Sequence, residues 1–250
     1  MHRFFLNNNN VIEGKVVKIT GSDFNHISYS LRMDIGDQII ASDGKGFDYQ
    51  LEIIYIGEKE IEAEIINKSQ NFNEPDIKVT IAQAIPKKNN MDLIVQKCTE
   101  IGVNKIIPLN TKRTIVKLKG NKIEKRINRW QKISEEAAKQ SKRAIIPKIG
   151  SVCELEDIIE QVDDYDLVLV PWEDEKKQGS KEILYKLDKE EIKRVMIIIG
   201  PEGGFVEDEI NLLKSKGAIP ITLGPRILRT ETAGIVALTM ILYQAGELGG

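Results

Sequence analysis

The sequence predicts a two-domain α/β protein: a small N-terminal β-barrel followed by a layered domain on a largely parallel sheet. Three observations carry that expectation. In the first part of the chain, short strands alternate apolar and polar residues and turn at Gly-containing pairs. Beyond residue 76, apolar runs alternate with segments of helical period, the pattern of α/β layers. Between them, residues 67–76 are polar, lack an apolar period and contain Pro75, so they read as a linker. The expected domains are therefore residues 1–70 and 76–250.

Composition sets the outer limits. A chain of 250 residues with 41% hydrophobic and 30% charged residues suits two soluble domains with a sizeable core. The net charge of −2 advertises no general affinity for nucleic acid, so any basic face must be local. Cys98 and Cys153 are isolated in apolar-periodic segments, as expected of free buried thiols in a reduced, cytoplasmic setting. With His2 and His26 as the only histidines, no Cys/His zinc site assembles and no metal is expected. The apolar run 232–245 is too short to span a bilayer and reads as a buried helix, so no membrane is expected.

Taken in order, His2-Arg3-Phe4-Phe5 is either a strand stub with its aromatics in the core or a substrate-contacting arm, since Arg holds phosphate and aromatics stack on bases. Low complexity is limited to residues 7–10. Residues 23–33 are helix-like. Residues 38–42 meet Asp43-Gly44, a hairpin signal, and residues 49–55 return. Ile61, Ala63 and Ile65 then alternate with Glu60, Glu62 and Glu64, whose acidic ridge reads as a solvated edge that cannot face phosphate. Past the linker, residues 79–85, 105–109, 166–170 and 195–199 read as strands. Helices are expected over residues 91–101, stopped by Gly102, over 122–142 with Ile123, Ile127, Trp130, Ile133 and Ala137 on one stripe, and near 181–187.

Cations recur just past strand ends and at the long helix's tail: Lys87 and Lys88, Lys112 and Arg113, then Lys139, Lys142 and Arg143. Each cluster alone is a solvated surface; three at one level of a sheet form a local phosphate track.

The last quarter carries two glycine-marked loops, each following an apolar run and leading into a helix. Residues 196–199 run into Gly200-Pro201-Glu202-Gly203-Gly204-Phe205, and residues 219–223 into Gly224-Pro225-Arg226-Ile227-Leu228-Arg229-Thr230-Glu231-Thr232. Ligands of open α/β sheets sit beyond the carboxyl ends of strands, so these loops are the expected site of chemistry. Neither has the Gly-Lys-Ser/Thr of a phosphate loop or the G-x-G-x-x-G of a dinucleotide site, which argues against ATP, NAD and FAD. A loop offering backbone groups beside Glu202 suits a neutral or cationic small molecule. Arg226 and Arg229 oppose the dipole of the following helix, a local conflict of the kind that marks functional sites. Arg229 is the preferred substrate-side cation.

These blocks resemble, from end to end, the RsmE family of SPOUT-superfamily RNA methyltransferases. The resemblance rests on His2-Arg3-Phe4-Phe5, on residues 96–103, on Glu136-Ala137 with Gln140-Ser141 and Arg143, on residues 199–205, and on Leu223-Gly224 with residues 226–233. It implies a PUA-like RNA-binding barrel and a SPOUT domain tied in a trefoil knot, a topology no periodicity reveals. It also implies an obligate homodimer with the last helix at the interface. The implied activity is methylation of N3 of one uridine in 16S ribosomal RNA, in the 30S subunit, with S-adenosylmethionine as cofactor. Gly200, Pro201, Glu202, Gly203, Gly204, Leu223, Gly224, Ile227 and Leu228 are then expected to hold the cofactor. Arg3, Lys87, Lys88, Arg113, Gln140 and Arg143 are expected to face RNA, with Arg229, Arg3 and Glu231 as catalytic candidates, Glu231 a weak general base. A SPOUT enzyme acting on ribose 2′-hydroxyls and a non-catalytic dimeric RNA-binding module are the rivals. One departure stands out: relatives carry Ser or Thr where this chain has Val206, which removes a side-chain N-cap worth about 1 kcal/mol, partly offset by Glu207, Asp208 and Glu209 in the first turn.

Overall fold

The computed structural model describes residues 2–6, 11–118, 120–176, 178–185 and 192–249; the Asn tract at 7–10 lies outside them. The chain divides into two compact units, Met1–Glu74 with Ala138–Ile146, and Pro75–Ala137 with Pro147–Gly250. The first unit is thus discontinuous, reclaiming the tail of a helix that begins in the second.

That first unit comprises β1 (His2–Phe5), β2 (Val11–Glu13), β3 (Val16–Thr20), α1 (Gly21–Asn25), β4 (Gln38–Ser42), β5 (Phe47–Ile56) and β6 (Glu60–Gln70), with a π-helical turn over His26–Leu31. Its six strands run in the order β1-β4-β5-β6-β3-β2, and only β1 on β4 is parallel. Alternate residues Val17, Ile19, Ile39, Leu51, Ile53, Ile61 and Ala63 turn inward onto Phe4, Phe24 and Ile27. The result is a curled sheet with β1 and β2 at its ends rather than a closed barrel.

Two expectations for this region change. β6 lies between β5 and β3, so its glutamates are on the wet face of an interior strand, with Glu62 opposite Lys18 at 3.8 Å. Residues 67–70, read as linker, extend β6 and pair with Phe47–Gln50. An extension beyond the core has both faces wet and so shows no apolar period.

Arg3 is not an arm. Its guanidinium forks onto the carboxylate of Asp48 at 2.5 and 2.9 Å and also donates to Ser42 Oγ at 2.6 Å. Burial works against the charge on Asp48, yet the bonds from Arg3, Ser42 and Asn71 hold its carboxyl below the usual carboxylate range. Arg143 is likewise enclosed, 2.7 Å from Glu74, whose other oxygen accepts the N–H groups of Ala144 and Ile145 at 3.0 Å. Removing one member of such a pair leaves a buried charge uncompensated, which makes both arginines structural here.

The second unit runs β7 (Lys78–Ala84), α2 (Asn90–Ile101), β8 (Lys105–Asn110), α3 (Asn121–Gln140), β9 (Lys148–Ile149), β10 (Cys153–Glu154), α4 (Leu155–Ile159), β11 (Leu167–Pro171), α5 (Ser180–Leu184), β12 (Arg194–Ile199), α6 (Glu207–Ser215), β13 (Ile219–Ile221) and α7 (Thr230–Gln244). The expected helix near 181–187 thus appears as α5, and the end of the expected span lies outside the described residues. The strands form one parallel sheet in the order β10-β8-β7-β12-β11-β13, with β9 beside β8. Both faces are covered, which is why the strands read as unbroken apolar runs. Val195, Ile197 and Ile199 face the cluster built with α2 and α7, whereas Met196 and Ile198 face α4 and α6. β13 tolerates Pro220 because it is the edge strand.

Gly102 ends α2 at φ +126°, and a Cβ there would meet Pro75 at 2.8 Å, so only glycine fits. On α3, Trp130 is buried and donates to Asp92 at 3.1 Å. Cys98 is buried, and burial pushes its thiol up to about 12, whereas Cys153 is only half-buried, against the expectation of two enclosed thiols. Among the described residues no helix is long and apolar enough to cross a membrane and no His/Cys/Asp/Glu group could hold a metal.

Candidate active site

The two glycine loops meet at the carboxyl ends of β12, β11 and β13, around a pocket of about 960 Å³. Its floor is Ile199, Phe205 and Leu223; its mouth carries Lys87, Lys88, Arg226 and Arg229 beside Glu173, Glu202 and Glu231.

The first loop is built tightly. The Gly204 amide turns back onto the Pro201 carbonyl at 2.9 Å, which requires φ +66° at Gly204. A Cβ there would lie 2.8 Å from Glu173 Oε1, and one on Gly200 3.0 Å from the buried Phe205 ring. Neighbouring elements hold the loop from outside: the Lys87 amide donates to Glu202 Oε1 at 2.7 Å, and Arg113 donates to the Gly203 carbonyl at 2.7 Å. Behind it, Val206 gives α6 no side-chain cap, but Glu209 reaches back to the Val206 amide at 2.9 Å. The same buried carboxylate accepts the Lys112 amide at 2.8 Å, tying the 112–113 turn to α6.

The second loop is looser. Thr222 Oγ1 bonds locally with Gly224 at 3.2 Å, and Gly224 sits at φ +118° with nothing within 4 Å of where a Cβ would stand. Arg226 is exposed, Ile227 is 82% exposed and Leu228 half-buried. Arg229 is the backbone N-cap of α7, its carbonyl accepting the Thr232 and Ala233 amides at 2.9 Å while its side chain is 86% exposed. It lies 4.0 Å from Glu231, too far and too wet for a strong pair. The cation that sits oddly near a helix N-terminus thus points into solvent at the pocket mouth.

One residue joins the two loops. Thr230 Oγ1 donates to the Gly200 carbonyl at 2.6 Å and accepts from the buried Gln83 amide at 2.9 Å. Neither Thr230 nor Gln83 is among the residues expected at the site from sequence, nor are Trp172 and Glu173 in the pocket wall. Gln83 leaves a signal: a glutamine inside the apolar strand 79–85 needs buried partners.

All nine expected cofactor residues fall on the two loops that frame the pocket, and all but Gly203 line it. Lys87 and Lys88 stand at its mouth, Lys88 with φ +59°. Of the expected phosphate track, Arg113 donates to the Gly203 carbonyl and Arg143 is buried against Glu74; Lys139 and Lys142 belong to the first unit, Lys87, Lys88 and Lys112 to the second.

Comparison with known proteins agrees with this arrangement. A family model described as an RNA methyltransferase domain matches residues 73–242, and one described as an RNA methyltransferase PUA domain matches residues 19–66. The protein named Ribosomal RNA small subunit methyltransferase E in Bacillus subtilis (strain 168) is 36% identical, over 100% of this chain and 99% of its own length. Its namesake in Mesomycoplasma hyopneumoniae (strain 232) is 35% identical, over 96% and 98%. The crystal structure of a protein of that name from Neisseria gonorrhoeae, bound to S-adenosyl methionine, superposes with a TM-score of 0.85 at 27% identity, covering 97% of each chain. Fold and pocket define a cofactor-binding α/β RNA methyltransferase domain carried beside a PUA domain. The chain belongs to the ribosomal RNA small subunit methyltransferase E family.

Proposed function

We propose that this protein transfers a methyl group from S-adenosylmethionine to N3 of a uridine in 16S ribosomal RNA, in the 30S subunit. The observation that carries the reading is the pocket itself, formed where two strand-end loops of a parallel sheet meet, in a chain related along its whole length to small-subunit RNA methyltransferases. Its lining suits the cofactor. Apolar Ile199, Leu223 and Leu228 line a volume with ample room for an adenosine, acidic and basic side chains share the rim as a zwitterion with a sulfonium requires, and Trp172 Nε1 is buried in the wall with no partner among the described residues.

When bound, S-adenosylmethionine supplies a methyl group already activated by its sulfonium, so the protein mainly aligns. Loop one, held by Thr230, Arg113 and Lys87, orients the cofactor through its backbone; such alignment is worth about 7–11 kcal/mol. As N3 gains the methyl, its imide proton leaves. Arg229 stabilises the negative charge developing on the base, and the proton passes to water or to Glu231, a weak base 4.0 Å from Arg229. Lys87, Lys88 and Arg226 hold flanking phosphates, while Arg3 and Arg143 act by keeping the first unit folded.

We further propose a trefoil knot, supported by β12 inserting between β7 and β11, both of which precede it in the chain. The protein acts as a cytoplasmic homodimer through α7, an almost uncharged helix with exposed Tyr243, a state that sedimentation equilibrium reads directly. The activity is tested by incubating the protein with undermodified 30S subunits and labelled cofactor, then mapping the methylated nucleoside. N3-methyluridine in 16S RNA is expected. Label on ribose, or on transfer RNA only, overturns the assignment.

A further inference from the structure

The first unit carries a surface that the methyl-transfer pocket does not explain. Phe47 and Tyr49 stand two residues apart on β5, so their side chains share a face. Lys68, opposite Tyr49 on β6, lies over both rings, 4.4 Å from the Phe47 centroid and 5.2 Å from that of Tyr49. Beside the hairpin, the Asn71 amide donates to the Gly46 carbonyl at 2.8 Å, so Phe72 emerges next to the turn, 85% exposed. Asn71 and Asn73, on either side of Phe72, both donate to the Lys142 carbonyl, at 3.2 and 2.9 Å. The segment 138–146 returned to this unit therefore brings exposed Lys142, in the turn after α3, beside Phe72, and exposed Lys45 sits in the hairpin turn.

Three aromatics and three lysines thus share one end of the sheet in a chain that is only 6% aromatic. The nearest acids are committed elsewhere: Asp48 holds Arg3, Ser42 and Asn71, and Asp43 accepts the Lys45 and Phe47 amides. A hydrophobic protein partner would not be matched by lysines set among the rings. Aromatic rings interleaved with cations are the combination that takes unstacked bases and the phosphates between them. The Phe72 ring, left almost wholly in water, gains free energy when a flat partner covers it.

We propose that this end of the first unit, Phe47, Tyr49, Lys68 and Phe72 with Lys45 and Lys142, is a stacking platform for a single-stranded segment of the RNA substrate. It rests on the reading that RNA is the substrate, and it gives the returning segment 138–146 a function beyond the buried Arg143–Glu74 pair.

The test measures affinity by fluorescence anisotropy for a labelled oligouridylate of about 12 nucleotides, for a blunt RNA duplex of equal length, and for undermodified 30S subunits. Phe72→Ala is expected to weaken oligouridylate and subunit binding by roughly fivefold or more, with Phe72→Trp restoring it and duplex binding unchanged. Lys68→Gln with Lys142→Gln should weaken both RNA forms and flatten the salt dependence. S-adenosylmethionine uptake, read by calorimetry, should not move in any variant. Unchanged oligouridylate affinity in Phe72→Ala overturns the proposal, as does an equal loss on duplex, and a loss confined to assembled subunits assigns the surface to a ribosomal protein instead. If the parent protein takes no cofactor and methylates nothing, the enzymatic reading fails on its own, while the platform stands or falls by the anisotropy.

Discussion

The two loops that frame the pocket are chemically alike in sequence and opposite in construction. The 200–205 loop is gripped by a backbone amide from the β7–α2 connection and by side chains from the 112–113 turn and α7. The 224–229 loop is bonded locally, Gly224 to the Thr222 hydroxyl just before it, and Arg226, Ile227 and Arg229 stand in solvent. A loop bonded on every side is already ordered before the ligand arrives and suits a ligand that must be aligned. A loop with exposed side chains is free to adapt to a large substrate. On the proposed reading the difference divides labour: the first wall aligns the cofactor, and the exposed arginines of the second meet RNA.

The sharpest way to break that comparison is Thr230→Val. It takes away the partner of the Gly200 carbonyl and of one N–H of the Gln83 amide, whose other N–H keeps the Ala84 carbonyl, each loss costing about 1–3 kcal/mol. Cofactor affinity should fall by roughly 10- to 100-fold, with Thr230→Ser close to the parent by calorimetry; an unaffected Val variant would mean the loop is held without this link. Next comes Arg229→Ala, expected to lower single-turnover methylation by roughly 10²-fold while leaving cofactor binding unchanged and stability within about 0.5 kcal/mol. A parallel loss of cofactor affinity would erase the proposed division between the walls. Gly204→Ala forces a side chain to φ +66° and moves Glu173, which should cost about 1–2 kcal/mol in urea unfolding; no change would show that the turn relaxes easily. The smallest effect belongs to Val206→Thr, which supplies α6 with the missing acceptor and should add up to about 1 kcal/mol in the same measurement.

Much of the pocket was legible in the chain. The apolar run of β12, its Gly-Pro stop and the Gly-Pro-Arg stretch after β13 are local signals, because strand burial and turn chemistry act over a few residues. Gly204 is among the residues the sequence assigns to the loop, but its neighbour Glu173 is not. The cations were not legible in the same way. Arg3 and Arg143 have the composition of RNA contacts, but their partners Asp48 and Glu74 lie 45 and 69 residues away, and charge in a sequence says nothing of what neutralises it. Residues 67–70 misled for a related reason, since a strand whose two faces are wet has the composition of a linker.

Propensity, periodicity and turn residues thus specify which segments become strands and helices, and where the chain must bend at glycine. Which polar side chains become structural and which stay available depends on pairs formed across the fold. Gln83 reaches Thr230 over 147 residues, a buried contact set only when β7 packs beside α7, and it holds the hydroxyl that joins the two walls of the pocket at the Gly200 carbonyl.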